Sequence, residues 1–208
     1  MDAAKIRLSQ KELGQVIDAD WILTKNAIME KTIALLALLQ TKQQAYINSF
    51  PQQLPVEIKR STPKISKGEK YQGLPYLLLD YPRYFVQQNI LAVRTMFWWG
   101  NFFSVTLHLS GVCKSAAETK LIDAYTLLGE KGFYCCINEK QWEHDFSPGN
   151  YIAVAEIGET GFKQLISEKD FVKLACRIPL RQWEDAGVFL LDSFKEIIGI
   201  LAGQLPRR

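Results

Sequence analysis

The chain has 208 residues, of which 48% are apolar, 12% aromatic and 23% charged, which excludes a disordered segment, a collagen and a coiled-coil rod. A formal net charge of +3 is too small to imply nucleic acid as a partner. Residues 33–39 (IALLALL) are the longest apolar run, far short of the roughly 20 residues a membrane span needs. The first ten residues lack the apolar centre of a signal peptide. No membrane partner is expected, and the location expected is cytoplasmic. Cys113, Cys135, Cys136 and Cys176 form no CxxC pair, so reduced, buried thiols are expected.

Residues 1–50 read as helical. Ser9 and Glu12 fit a capping box. Asp20 is the expected N-cap of a second, longer helix. Ile22, Met29, Ile33 and Leu36 form one apolar row of that helix, and Trp21, Ile28, Leu35 and Leu39 form another. A face this wide calls for more than one covering element. Pro51 ends the helix.

Residues 51–75 read as an irregular basic loop, punctuated by Pro51, Pro55, Pro63, Pro75, Gly68 and Gly73. Lys59, Arg60, Lys64, Lys67 and Lys70 face only Glu57 and Glu69 there, so the positive excess of the whole chain sits in this segment. With Tyr71 as its only aromatic residue for base stacking, nucleic acid is not an expected partner.

Residues 76–208 carry the strands and further helices. Strands are expected at 76–81, 90–99, 102–109, 133–137, 151–157 and 171–178. A second capping box at Ser115 and Glu118 opens a helix to about residue 128. The last helix, 181–203, presents Trp183, Leu190, Phe194, Ile197 and Leu201 as one stripe. Strands in the middle and helices at the ends indicate one α+β domain over 1–208. Its core is a mainly antiparallel, twisted sheet of five or six strands, with the N-terminal and C-terminal helices packed on it.

Gly100-Asn101 reads as a two-residue hairpin turn. That register pairs Trp99 with Phe102, Trp98 with Phe103 and Arg94 with Leu107. Arg94 is then the one charge on a face with Ala92, Met96, Val105, Leu107 and Leu109. His108 lies on the other face with Ser104 and Thr106. A buried guanidinium needs an anionic partner. Asp80 and Arg83, which bracket Tyr81-Pro82, are the nearest candidates. Arg94 is therefore either the partner of Asp80 or the anchor of a small anionic ligand, with Asp80, Arg83 and His108 as polar companions.

Other patterns carry less. His108 has no G-x-S-x-G elbow to serve. Glu143-His144-Asp145 lacks metal-ligand spacing and reads as a solvated loop. Phosphate-binding glycine motifs are missing, so neither a cofactor nor a metal is expected. No catalytic residue stands out, and whether the protein is an enzyme stays open. Two functions compete. One is a non-catalytic interaction protein, a homo-oligomer using an aromatic sheet surface of Trp98, Trp99, Phe102 and Phe103. The other is a binding protein or enzyme for a small anionic ligand held by Arg94.

Overall fold

The computed structural model describes residues 6–50 and 54–204. The apolar runs in the middle of the chain become β1 (Lys64–Tyr71), β2 (Leu74–Val86), β3 (Asn89–Trp98), β4 (Phe102–Ser110), β5 (Tyr134–Cys136), β6 (Tyr151–Ala153) and β7 (Phe171–Pro179). They form one seven-stranded sheet in the order β1-β2-β3-β4-β7-β5-β6, and every neighbouring pair is antiparallel. The helices are α1 (Gln10–Ile17), α2 (Ala19–Asn48), α3 (Val56–Lys59), α4 (Gly111–Asp123), α5 (Tyr125–Glu130), α6 (Val154–Ile157), α7 (Glu159–Glu168) and α8 (Trp183–Ala202). The fold is thus α+β, with an antiparallel sheet and helices towards both ends of the chain. Among the described residues, no helix is long and apolar enough to cross a membrane.

The sheet has seven strands, not five or six. The extra one is β1, drawn from the segment expected to be an irregular loop. Its sequence, KISKGEKY, has little apolar alternation, because an edge strand needs to pair on one side only. Lysines along such an edge discourage pairing with another chain.

Local signals at the helix ends are met unevenly. Ser9 caps α1, with its Oγ accepting from the Glu12 amide at 3.2 Å and its own amide donating to Glu12 Oε2 at 2.7 Å. Asp18, rather than Asp20, caps α2; its Oδ1 accepts from the amides of Asp20 and Trp21 at 3.1 and 3.4 Å. The α4 helix starts at Gly111, so Ser115 lies inside it. Pro51 lies outside the described residues.

One face of the sheet is covered by α2, α4 and α8. Leu77, Leu79, Val93, Phe97, Phe103, Val105, Leu107, Leu174 and Cys176 point into this layer and meet Leu36, Leu39, Leu121, Phe194 and Ile197. The opposite face is covered by the long connection between β5 and β6, residues 137–150. Phe146 of that connection packs on Phe102 and Tyr151, with ring centroids 5.1 and 4.7 Å apart.

The register between β3 and β4 corrects the expected one. Trp98 pairs with Phe102, Phe97 with Phe103, Arg94 with Thr106 and Ala92 with His108. The turn holds three residues, Trp99, Gly100 and Asn101. The Asn101 amide donates to the Trp98 carbonyl at 3.0 Å. Gly100, at φ +74°, occupies the third position of that turn, where a left-handed residue is required. Moving Gly100 from the first to the middle loop position shifts the pairing by one residue and turns one strand over relative to the other. Arg94 therefore shares its face with Thr106 and His108, not with Leu107.

The same shift settles the aromatic residues at the hairpin. Phe103 is fully buried under the helices beside Phe97 and Trp183. Trp98 and Phe102 lie on the other face, each 5% exposed, against Tyr71 and Phe146. Only Trp99 of the four is partly accessible. An open aromatic sheet surface made of Trp98, Trp99, Phe102 and Phe103 does not exist in the folded chain.

Double-mutant cycles test this register. Phe97 and Phe103, with centroids 5.2 Å apart, should couple by about 0.5–1.5 kcal/mol in urea denaturation. Trp98 and Phe103, on opposite faces, should couple by less than about 0.5 kcal/mol. The reverse ranking would restore the two-residue turn.

Candidate functional site

Two rows of side chains cross the face beneath residues 137–150. The strand registers align Asp80, Arg94, Thr106 and Ala175 in one row, and Arg83, Ala92, His108 and Lys173 in the next. A bulge between Asp80 and Arg83 keeps both on this face. The polar residues are thus concentrated at the centre of the sheet, on the face without helices.

Arg94 and Asp80 form a planar fork. Arg94 Nε donates to Asp80 Oδ1 at 2.7 Å and Nη2 to Oδ2 at 2.9 Å. The side chains are 15% and 10% exposed. Bidentate, charge-assisted geometry of this kind is the strongest ion pairing available to a protein. The remaining arm of the guanidinium, Nη1, lies 3.1 Å from His144 Nε2. A guanidinium can only donate, so His144 accepts on Nε2 and carries its proton on Nδ1.

Both histidines of the chain meet here. His108 is 5% exposed, and its Nε2 lies 3.2 Å from Gln141 Oε1. The amide oxygen accepts, so His108 has the opposite tautomer, with its proton on Nε2. The ring also packs edge-on against Trp142 and Phe171. Burial, then the Lys173 and Arg94 charges, push the His108 pKa down to about 3. Burial and the same two cations push His144 down to about 2. Both rings are neutral across the physiological range.

Lys173 completes the cluster. It is 1% exposed, its Nζ donates to the Glu143 carbonyl, and it lies over the Tyr151 ring at 5.2 Å. Burial lowers its pKa to about 8, which leaves it mostly protonated at neutral pH. Among the described residues no carboxylate lies within ion-pair distance of it. The fully buried Tyr151 hydroxyl faces Thr106 outside hydrogen-bond geometry.

Arg94, Thr106, His108, His144 and Lys173 line one small, partly open pocket of about 10 Å³, together with Ala92 and the exposed Phe85. That is room for a single water-sized group. Gln141, Trp142 and Phe171, which touch His108, also line an open groove of about 560 Å³ with Gln87, Gln88 and Asp170. The 137–150 connection therefore separates the buried cluster from an accessible cleft.

Of the residues expected to form a site, Asp80, Arg94 and His108 are brought together. Arg83 is not a member, since its Nε donates to the Thr62 carbonyl at 2.9 Å and its amide to Ser61 Oγ at 2.6 Å. Glu143-His144-Asp145 is not a solvated loop. The His144 and Asp145 amides donate to the Tyr71 hydroxyl at 2.7 and 3.1 Å, which fixes this stretch on the sheet. Lys173 was not anticipated, although a charge flanked by apolar residues in the strand FVKLACRIP is the same signal that marks Arg94. All four cysteines are buried free thiols, and Cys135 and Cys136 face opposite sides of the sheet. Among the described residues, no three His, Cys, Asp or Glu side chains are placed to hold a metal ion.

No protein-family model matches the chain, and no curated protein matches it in sequence.

Two outcomes test the cluster's energetics. Arg94→Ala strands the Asp80 carboxylate and should cost about 3–5 kcal/mol in chemical denaturation, with Arg94→Lys recovering only part because an ammonium lacks the fork. A loss under about 1 kcal/mol would place the pair at the surface. The histidines give a second outcome, since each binds a proton in the unfolded chain near 6.5 but not in the folded one. Stability should fall as pH drops from 6.5 towards 5, by up to about 1.4 kcal/mol per pH unit per histidine. Flat stability across that window would contradict their burial.

Proposed function

We propose that the protein binds a small monoanion, a carboxylate in the first instance, in the polar cluster beneath residues 137–150. The observation that carries this reading is the buried charge of Lys173, which has no carboxylate within ion-pair distance among the described residues. The Arg94 charge is cancelled by Asp80, and both histidines are held neutral. Lys173 touches only a carbonyl and an aromatic face, and the Glu143 and Asp145 carboxylates act on it from beyond ion-pair distance. An unpaired charge in the interior is costly. Sites where burial and neighbouring charges perturb several titratable groups together are candidates for function.

The geometry supports a division of roles. Lys173 attracts the anion, Arg94 and Thr106 offer donors at the wall of the cavity, and Asp80 fixes the guanidinium plane. His108 and Gln141 stand between the cavity and the open cleft. Breaking their hydrogen bond admits one anionic oxygen to the cavity, while the rest of the ligand stays in the cleft. A cavity this small selects compact anions over phosphate esters.

Thermal denaturation and calorimetry with formate and acetate, at constant ionic strength, test the proposal. Saturating formate, at about a hundred times Kd, should stabilise the wild type by about 2.7 kcal/mol. Lys173→Met, which removes the charge and keeps the length of the side chain, should abolish the response while folding at least as stably as the wild type. A wild type indifferent to small anions, or a Lys173→Met variant that responds equally, would overturn the reading.

A further inference from the structure

The longest helix extends past the body of the fold. In α2, Met29, Thr32, Leu36, Leu39, Gln43 and Ile47 form one buried stripe at helical spacing. The stripe continues toward the N-terminus through Trp21 and Ile22, but these are 51% and 44% exposed. Lys25, between them and Met29, reaches Glu69 of β1 at 2.9 Å and marks the edge of the body. The preceding α1 helix has no buried residue, and its Leu13, Val16 and Ile17 are 44%, 68% and 75% exposed. Leu23 adds a further apolar side chain at 60%.

The same chain also carries an unfilled apolar groove beside this overhang. It has a volume of about 540 Å³ and is lined by Ile28, Phe97, Trp99, Leu180 and Trp183, with Lys31 and Glu184 as its charges. Trp21 sits about 10 Å further along the same helix from Ile28, so it cannot turn back into the groove of its own chain.

We infer that a second copy of this chain covers both features. The α2 overhangs cross antiparallel about a two-fold axis, and the Trp21 of each protomer enters the apolar groove of the other. Three observations select this occupant. The groove is large enough for an indole and is walled by aromatic and aliphatic side chains suited to it. Asp20, next to Trp21, and Lys31, in the groove wall, have no ion-pair partner among the described residues, and the crossing brings each to the other's protomer. Finally, Leu13, Val16, Ile17, Trp21 and Ile22 are each 44–75% exposed; at about 100 Å² apiece they supply more than half of the roughly 800 Å² per partner that a stable dimer buries, and the groove walls add to it. A closed two-fold arrangement satisfies both copies at once and leaves no open edge for further growth.

This assembly is separate from the anion site, since neither the overhang nor the groove touches residues 137–150. Sedimentation equilibrium of the full chain from 1 to 100 µM is the test. The wild type should run as a dimer of twice 23.8 kDa. Trp21→Glu should shift it to a monomer that still unfolds cooperatively, with a melting temperature that no longer depends on protein concentration. Lys31→Glu should weaken the dimer at least about tenfold, and Asp20→Lys combined with Lys31→Glu should restore it. A wild type that stays monomeric throughout would overturn the inference. So would a dimer insensitive to Trp21→Glu, or a charge swap that fails to restore what Lys31→Glu removes.

Discussion

The register of β3 against β4 is the constraint on which the rest of this structure depends. Three residues close the hairpin, and Gly100 supplies the one left-handed conformation the turn requires. That places Arg94 opposite Thr106 and Ala92 opposite His108. Pairing β4 with β7 then sets Lys173 beside His108. Had the turn closed over two residues, Arg94 would have faced leucines, and the histidine and lysine would have been on the other side of the sheet. A single turn position thus separates an apolar layer under three helices from a polar layer under one connecting segment.

The polar layer is held by complementary bonding rather than by apolar packing alone. Four sheet residues attach residues 137–150: Tyr71 the backbone of His144 and Asp145, Arg94 the His144 ring, His108 Gln141 and Lys173 the Glu143 carbonyl. Phe146 adds an apolar clamp over Tyr151, with Arg177 stacked on it at 4.8 Å. The cover and the cluster are therefore mutually dependent. Lifting the cover hydrates the cluster.

Much of the architecture was legible in the sequence because it rests on long-period signals. The apolar stripe of α8, the strand character of residues 90–109 and the separation of strands from terminal helices all survive in the structure. The edge strand β1 was not legible, since a strand paired on one side and exposed on the other needs no apolar alternation. The site was half legible. A charge within an apolar strand pointed to Arg94, and the need for a carboxylate pointed to Asp80. His144 was read as solvent-exposed because two acidic neighbours made its loop look hydrophilic. Its partial burial comes from backbone amides anchored on Tyr71, a long-range contact that no local pattern encodes. The aromatic hairpin was misread for the opposite reason: its register, not its composition, decided which rings were covered.

The most direct test of the central claim, a buried polar cluster that receives a small anion, is nitrogen NMR of the two histidine rings. The chain contains only His108 and His144, so assignment needs one variant. The account predicts neutral rings of opposite tautomer, His108 with its proton on Nε2 and His144 with its proton on Nδ1, unchanged from pH 8 to 5. It further predicts that formate shifts both ring signals together along one binding curve. Rings that titrate near pH 6.5, or ring signals that ignore the anion, would contradict it.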